Sequence, residues 1–123
     1  MLTKTIHVVT VLALLGTSAA PAMAADGAAI FDRECADCHS LAGKQKKGPS
    51  LAGIIGRQAG SVADFANYSA AMKASGAAWS AERLDAYIAD PRKAVAGGSM
   101  KYDGLASAEE RRLLIGYLQS RRQ

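Results

Sequence analysis

Apolar and polar positions alternate along this chain in ways that predict helices separated by long irregular stretches. After Asp26, the positions Gly27, Phe31 and Cys35 recur every four residues and line one face of a first helix, predicted to end near His39. Ser69 to Ala74 predicts a short helix closed by Ser75 and Gly76. Ser80 then caps a helix through Glu82, Leu84, Tyr87 and Ile88, which Asp90-Pro91 stops. The clearest signal comes last: Ser107-Ala108-Glu109-Glu110 reads as a capping box ahead of Leu114, Tyr117 and Leu118, running down to the basic end Arg121-Arg122. Between these elements, Gly43, Gly48-Pro49, Gly53, Gly56 and Gly60 break up the stretch from Leu41 to Ser61, and Arg92 to Gly104 lacks periodicity. No strand signal, repeat or low-complexity tract is present, so the predicted class is all-α with long loops.

The beginning of the chain follows a different pattern. Lys4 and His7 precede an apolar run from Val8 to Leu15, and Ala19-Ala20-Pro21-Ala22-Met23-Ala24 supplies small residues ahead of Ala25. This is the layout of a secretory signal peptide, with the cut expected after Ala24. The apolar stretch is shorter than the roughly 20 residues a helix needs to cross a bilayer. Residues 1–24 are therefore read as a cleaved signal and 25–123 as a single domain, exported to the periplasm, without a transmembrane segment and expected to be monomeric.

Of the 15 Lys and Arg residues only Lys4 lies in that leader, so the remaining domain is mildly basic against 11 Asp and Glu. The basic residues are scattered among acidic ones and the aromatic residues do not interleave with basic clusters, so no nucleic-acid reading follows. A domain this small buries a modest core, and its predicted loops are too long for an ordinary domain of its size. A central rigid ligand would reconcile the two, because loops wrapped around it can bury their side chains against it.

Cys35-Ala36-Asp37-Cys38-His39 supplies a candidate. Two thiols at this spacing lie on neighbouring positions of one face and can add to two vinyl groups on one edge of a porphyrin. The following imidazole can then give a ring nitrogen to the iron, which makes the pentapeptide a haem attachment signature. Three alternatives compete. A redox dithiol would sit near a βαβ pattern, and none is predicted. A structural zinc needs four ligands, but the other histidine, His7, leaves with the signal. A plain disulfide would not call for His39, and it would close only a tiny loop.

The sixth position on iron decides the class of haem protein. Left open, it would serve a haem enzyme or a ligand sensor; filled, it suits a one-electron carrier. With histidine exhausted, the candidates are Met72, in a predicted helix turn, and Met100, which follows Gly97-Gly98-Ser99 in a loop far from His39 in sequence. A thioether in a loop is the better placed of the two, and a His/Met pair raises the reduction potential.

On these residues the chain resembles the class I cytochromes c, in particular the mitochondrial and bacterial cytochrome c2-like branch, over essentially all of residues 26 to 120. The resemblance implies the small cytochrome c fold, helices and long loops wrapped around one haem c held by Cys35 and Cys38, with His39 and Met100 as axial ligands. It places Gly27 and Phe31 in a first helix crossed by the last-helix segment Leu114 to Leu118. It makes the Pro49 carbonyl the acceptor for His39, sets Arg57, Tyr68 and Trp79 beside the haem propionates, and puts Tyr87 beside the methionine sulfur. Asp90-Pro91-Arg92-Lys93 and Met100 fall on their family positions. Gly98 stands where the family often has threonine, Met72 where asparagine is common, Ser99 where lysine is frequent and Ala94 where an aromatic is usual. The resemblance further implies an electron carrier rather than an enzyme, working free or as a subunit of a larger respiratory or dehydrogenase complex. Its partners would be redox proteins, donor and acceptor, with acidic docking surfaces that meet Lys44, Lys46, Lys47, Arg92, Lys93 and Lys101.

Overall fold

The computed structural model of the protein describes residues 20–122. Five helices follow in order: α1 (Ala20–Glu34), α2 (Ala70–Ser75), α3 (Ala81–Ala89), α4 (Pro91–Ala94) and α5 (Ala108–Ser120). The all-α class is observed; among the described residues the only β pairing is an isolated bridge between Gln58 and Ala78.

The caps expected at Ser80 and Ser107 are in place, and Ser69, expected as the first residue of its helix, caps α2 instead. Ser69, Ser80 and Ser107 each accept a hydrogen bond from a first-turn amide, at Met72, Arg83 and Glu110, and Gly76 closes α2 in the left-handed region. The Ser107 box is half formed, because the Glu110 carboxylate pairs with Arg33 of α1 instead of reaching back to its own cap. Two boundaries differ from expectation. Helix α1 ends at Glu34 rather than near His39: Cys35 N still bonds Phe31 O at 2.8 Å, but Cys38 N and His39 N both turn back to Cys35 O. Apolar periodicity thus continues into a tight turn that is no longer helix. Asp90-Pro91 stops α3 as predicted but also starts α4, with Asp90 Oδ1 accepting from Lys93 N and Pro91 in the first turn.

Residues 1–19, including most of the expected signal peptide and His7, lie outside the described residues. Helix α1 already includes Ala20 to Ala24 and runs across the expected cut after Ala24.

The core is built where α1 crosses α5. Ile30 and Phe31 pack with Leu114, Ile115 and Leu118, and Leu114 is completely buried. Gly27 permits the crossing: a Cβ there would lie 2.5 Å from Leu113 O and 2.6 Å from Tyr117 Cβ. Truncating a fully buried leucine of this kind costs about 2–5 kcal/mol. On a second edge Arg111, with 12% of its side chain exposed, ties α5 to Asp85 of α3 at 2.7 Å and to the carbonyls of Leu105 and Ala106.

The loop from 40 to 58 is held by polar anchors rather than by regular structure. Ser50 is almost fully buried; its Oγ accepts from Gly43 N and Ala52 N and donates to Ser40 O. Gly56 N donates to Trp79 O and Trp79 N to Arg57 O, which fastens the end of this loop to the segment ahead of α3.

Candidate functional site

These elements enclose a cavity of about 370 Å³ within the small core. The turn after α1 brings Cys35, Cys38 and His39 to it, the 40–58 loop brings Pro49 and Arg57, and α3 and α5 bring Tyr87 and Leu114. The loop after α4 brings Met100. All four residues singled out in the sequence, Cys35, Cys38, His39 and Met100, therefore line one cavity, although up to 65 residues separate them. Met72 of α2 lines it as well, so the structure brings both methionine candidates to the same space.

The histidine side is tightly built. Gly48 N bonds Cys38 O at 2.8 Å and Leu51 N bonds Ser40 O at 2.9 Å, which lays the 48–51 strand of chain against the turn. His39 Nδ1 donates to Pro49 O at 2.7 Å. A bond to a carbonyl requires the proton on Nδ1, so Nε2 keeps its lone pair and is free to bind a metal. Burial lowers the proton affinity of His39, outweighing the Pro49 bond that raises it, and Arg57 and Lys46 push in the same direction as burial. The ring is thus poised neutral, the form that ligates. Gly48 lies against its face: a Cβ there would fall 2.7 Å from Nδ1 and closer still to Cε1.

Both cysteines are free thiols, and burial pushes Cys35 up to about 12. A redox dithiol works as thiolate, and burial of Cys35 acts against that form. Zinc fits no better, since no group of three or more His, Cys, Asp or Glu among the described residues could hold a metal ion.

The methionine side is looser. Met100 Sδ accepts a long contact from Tyr87 OH at 3.8 Å, the arrangement implied by the resemblance, and the Tyr87 ring in turn lies tilted against Trp79, centroids 5.1 Å apart. Met72 Sδ lies 3.8 Å from Ser75 Oγ. Arg57 donates to Ser50 O and Ala52 O and has no carboxylate partner among the described residues, and Tyr68, whose hydroxyl accepts from Val62 N, joins it in lining the cavity. Of the basic residues named for docking, Lys47 and Lys101 are exposed and also line the cavity, whereas Lys46 Nζ is turned to Ala36 O and Arg92 pairs with Asp103.

One feature had no sequence signal. Glu34 and Tyr102 both line the cavity, and the Tyr102 hydroxyl donates to Glu34 Oε2 at 2.6 Å. Tyr102 first and Arg33 second hold the Glu34 carboxyl below its ordinary range. Sixty-eight positions separate the pair, and no local pattern links them.

A haem fits this site on the structure's own terms. Two free thiols and an imidazole with an available nitrogen converge on a mostly apolar cavity, and Gly48 leaves room above the ring where any side chain would collide. Helices and loops wrapped around such a cavity define a small c-type haem protein. The comparisons agree. The profile described as cytochrome c matches residues 24–122. A cytochrome c 2.1 of Caenorhabditis briggsae is 40% identical over 94 residues, covering 76% of this chain and 83% of that one. The cytochrome c type-1 of Ascaris suum is 42% identical over the same coverage. Among solved structures, cytochrome cH from Methylobacterium extorquens superposes with a TM-score of 0.74 at 36% identity, over 79% of this chain and 97% of that one. The chain belongs to the cytochrome c family. Membership carries with it the small haem electron carrier as a class.

Proposed function

We propose that the protein is an exported, periplasmic one-electron carrier, with residues 1–24 removed as a signal and 25–123 acting as one monomeric domain. It is a carrier and not an enzyme. The observation that carries this reading is the convergence of Cys35, Cys38, His39 and Met100 on one cavity. Cys35 and Cys38 would hold haem c through thioether bonds, and His39 and Met100 would be the ligands to its iron. Haem bound there supplies an iron centre that gains or loses one electron.

The chain's own residues do the rest. Pro49 O fixes the His39 tautomer and ring plane. Tyr87 orients the Met100 thioether. Apolar side chains such as Leu114 and Leu118 exclude water, which keeps the reorganisation accompanying a change of charge small. Lys47 and Lys101, exposed beside the cavity, meet redox partners with acidic docking surfaces.

Absorption of the ferric protein tests the reading. A far-red band from iron bonded to methionine sulfur is expected in the parent and in Met72→Ala, and lost in Met100→Ala. Its absence from the parent overturns the axial assignment and returns the haem enzyme or sensor. Haem that stays with the chain on a denaturing gel supports the thioethers; haem stripped by heat and denaturant removes them.

A further inference from the structure

The limb that carries Met100 is poorly held by its own backbone. No backbone hydrogen bond among the described residues engages positions 99 to 104; the nearest are Gly98 N to Val95 O on one side and Leu105 N to Ile88 O on the other. Ala96 to Ser99 are exposed. Side chains must therefore keep the limb in place. Arg92–Asp103 is solvent-facing on both partners, at 72% and 90% exposure, and contributes little. Tyr87 OH to Met100 Sδ is long and involves a weak acceptor.

Tyr102 is different. Two residues beyond Met100, it donates to a carboxylate at 2.6 Å, and that carboxylate belongs to Glu34, the residue before Cys35. Both Glu34 oxygens are used: Oε2 by Tyr102, and Oε1 by Arg33 Nε at 2.7 Å. Arg33 continues to Glu110 of α5, also at 2.7 Å. Glu34 has 20% of its side chain exposed, so its hydrogen bond is better shielded than the outer ion pairs. The bond spans the limb that carries the thioether and the turn that carries the thiols, and both of its residues line the cavity.

We propose that the Tyr102–Glu34 hydrogen bond is a clasp that holds the Met100 limb closed over the cavity and keeps external ligands off the iron. Tyr102 and Glu34 are positioning residues: neither binds iron, and each acts through the place it gives Met100. The inference rests on the assignment of Met100 as the axial ligand. The clasp accounts for how a limb with so little backbone bonding can keep a haem protein in electron transfer and out of small-ligand chemistry.

The test is the rate at which imidazole displaces methionine in the ferric holoprotein, followed by loss of the far-red band. Tyr102→Phe, which keeps the ring and removes the donor, is expected to speed displacement about tenfold, in line with the loss of a hydrogen bond to a charged group. Glu34→Ala should match it, Glu34→Gln should fall between it and the parent, and the double variant should be no faster than either single, since both remove the same bond. Ile115→Val, a core change that does not line the cavity, should alter the rate by less than about twofold. The clasp is overturned if Tyr102→Phe stays within about twofold of the parent, if the two single effects multiply in the double variant, or if Ile115→Val accelerates displacement as much. A parent protein without the far-red band overturns the Met100 assignment itself, and the clasp falls with it; a parent with the band and an unchanged rate in Tyr102→Phe overturns the clasp alone.

Discussion

The two sides of the cavity are built to different standards. On the histidine side, Gly48 and Leu51 bond the backbone of the 38–40 turn, Pro49 O accepts a hydrogen bond from His39 Nδ1, and Gly48 touches the ring so closely that no Cβ fits. On the methionine side, exposed glycines lead to Met100, backbone bonding lapses from 99 to 104, and one long contact reaches the sulfur. The contrast teaches that the imidazole is fixed by local chain geometry and the thioether by distant side chains. On the proposed axial assignment, a ligand of the first kind would be lost only when the fold is damaged. One of the second kind can be exchanged while the fold stays intact.

The same substitution on each side tests this most directly, and the largest effect is expected at Gly48. Gly48→Ala forces the His39 ring or the 48–51 segment to move, and should cost about 3 kcal/mol in denaturant unfolding, the upper range for overpacking. A cost under about 1 kcal/mol would show that the histidine side yields as easily as the other. Next comes Pro49→Ala, which keeps the carbonyl that His39 uses and frees only the backbone. It should cost about 0.4–1 kcal/mol through the unfolded chain and leave the far-red band unmoved. A lost band would mean that the ring of Pro49, not its carbonyl, orients the histidine. Smaller still is Gly98→Ala, where the new Cβ sits 3.1 Å from Val95 O on an exposed residue whose φ lies outside the left-handed region. A change of about 0.5 kcal/mol is expected, as for surface substitutions generally. An effect as large as that of Gly48→Ala would erase the distinction between the two sides.

How much of this could be read in the sequence follows the same division. Caps at Ser80 and Ser107 are legible because a side chain bonds an amide three residues away. Cys35, Cys38 and His39 were legible because the chemistry of attachment is itself a local spacing. The spacing predicts too late an end for α1, because Gly27, Phe31 and Cys35 keep helical spacing into a turn where Cys35 N still bonds Phe31 O. Helix α4 has no signal of its own, because Asp90-Pro91 reads as a stop while the same pair supplies a cap and a first-turn proline. Met100 could be preferred over Met72 from its loop, yet the structure brings both to the cavity. Nothing local announced Glu34 and Tyr102, since their meeting depends on how the limb folds back over the turn.

Acid should therefore act on the two sides unequally, and here the smallest effect is expected. Glu34 is held below the ordinary carboxyl range first by the Tyr102 hydroxyl and then by Arg33. A carboxyl whose folded value is depressed stabilises the protein fully above its unfolded value, and that contribution is lost as pH falls through the folded value. The parent should thus lose the contribution of the clasp on acidification from about pH 5 downwards, whereas Tyr102→Phe, lacking the main cause of the depression, has less to lose. After discounting for the partial exposure of the carboxylate, the part of the difference that depends on its charge, and so disappears in acid, is about 0.5 kcal/mol. Denaturant unfolding of both proteins at neutral pH and at about pH 3 would measure it, the two curves drawing together in acid. If they stay equally far apart in acid, Tyr102 stabilises the limb by packing alone, and the methionine side is held by shape rather than by charge.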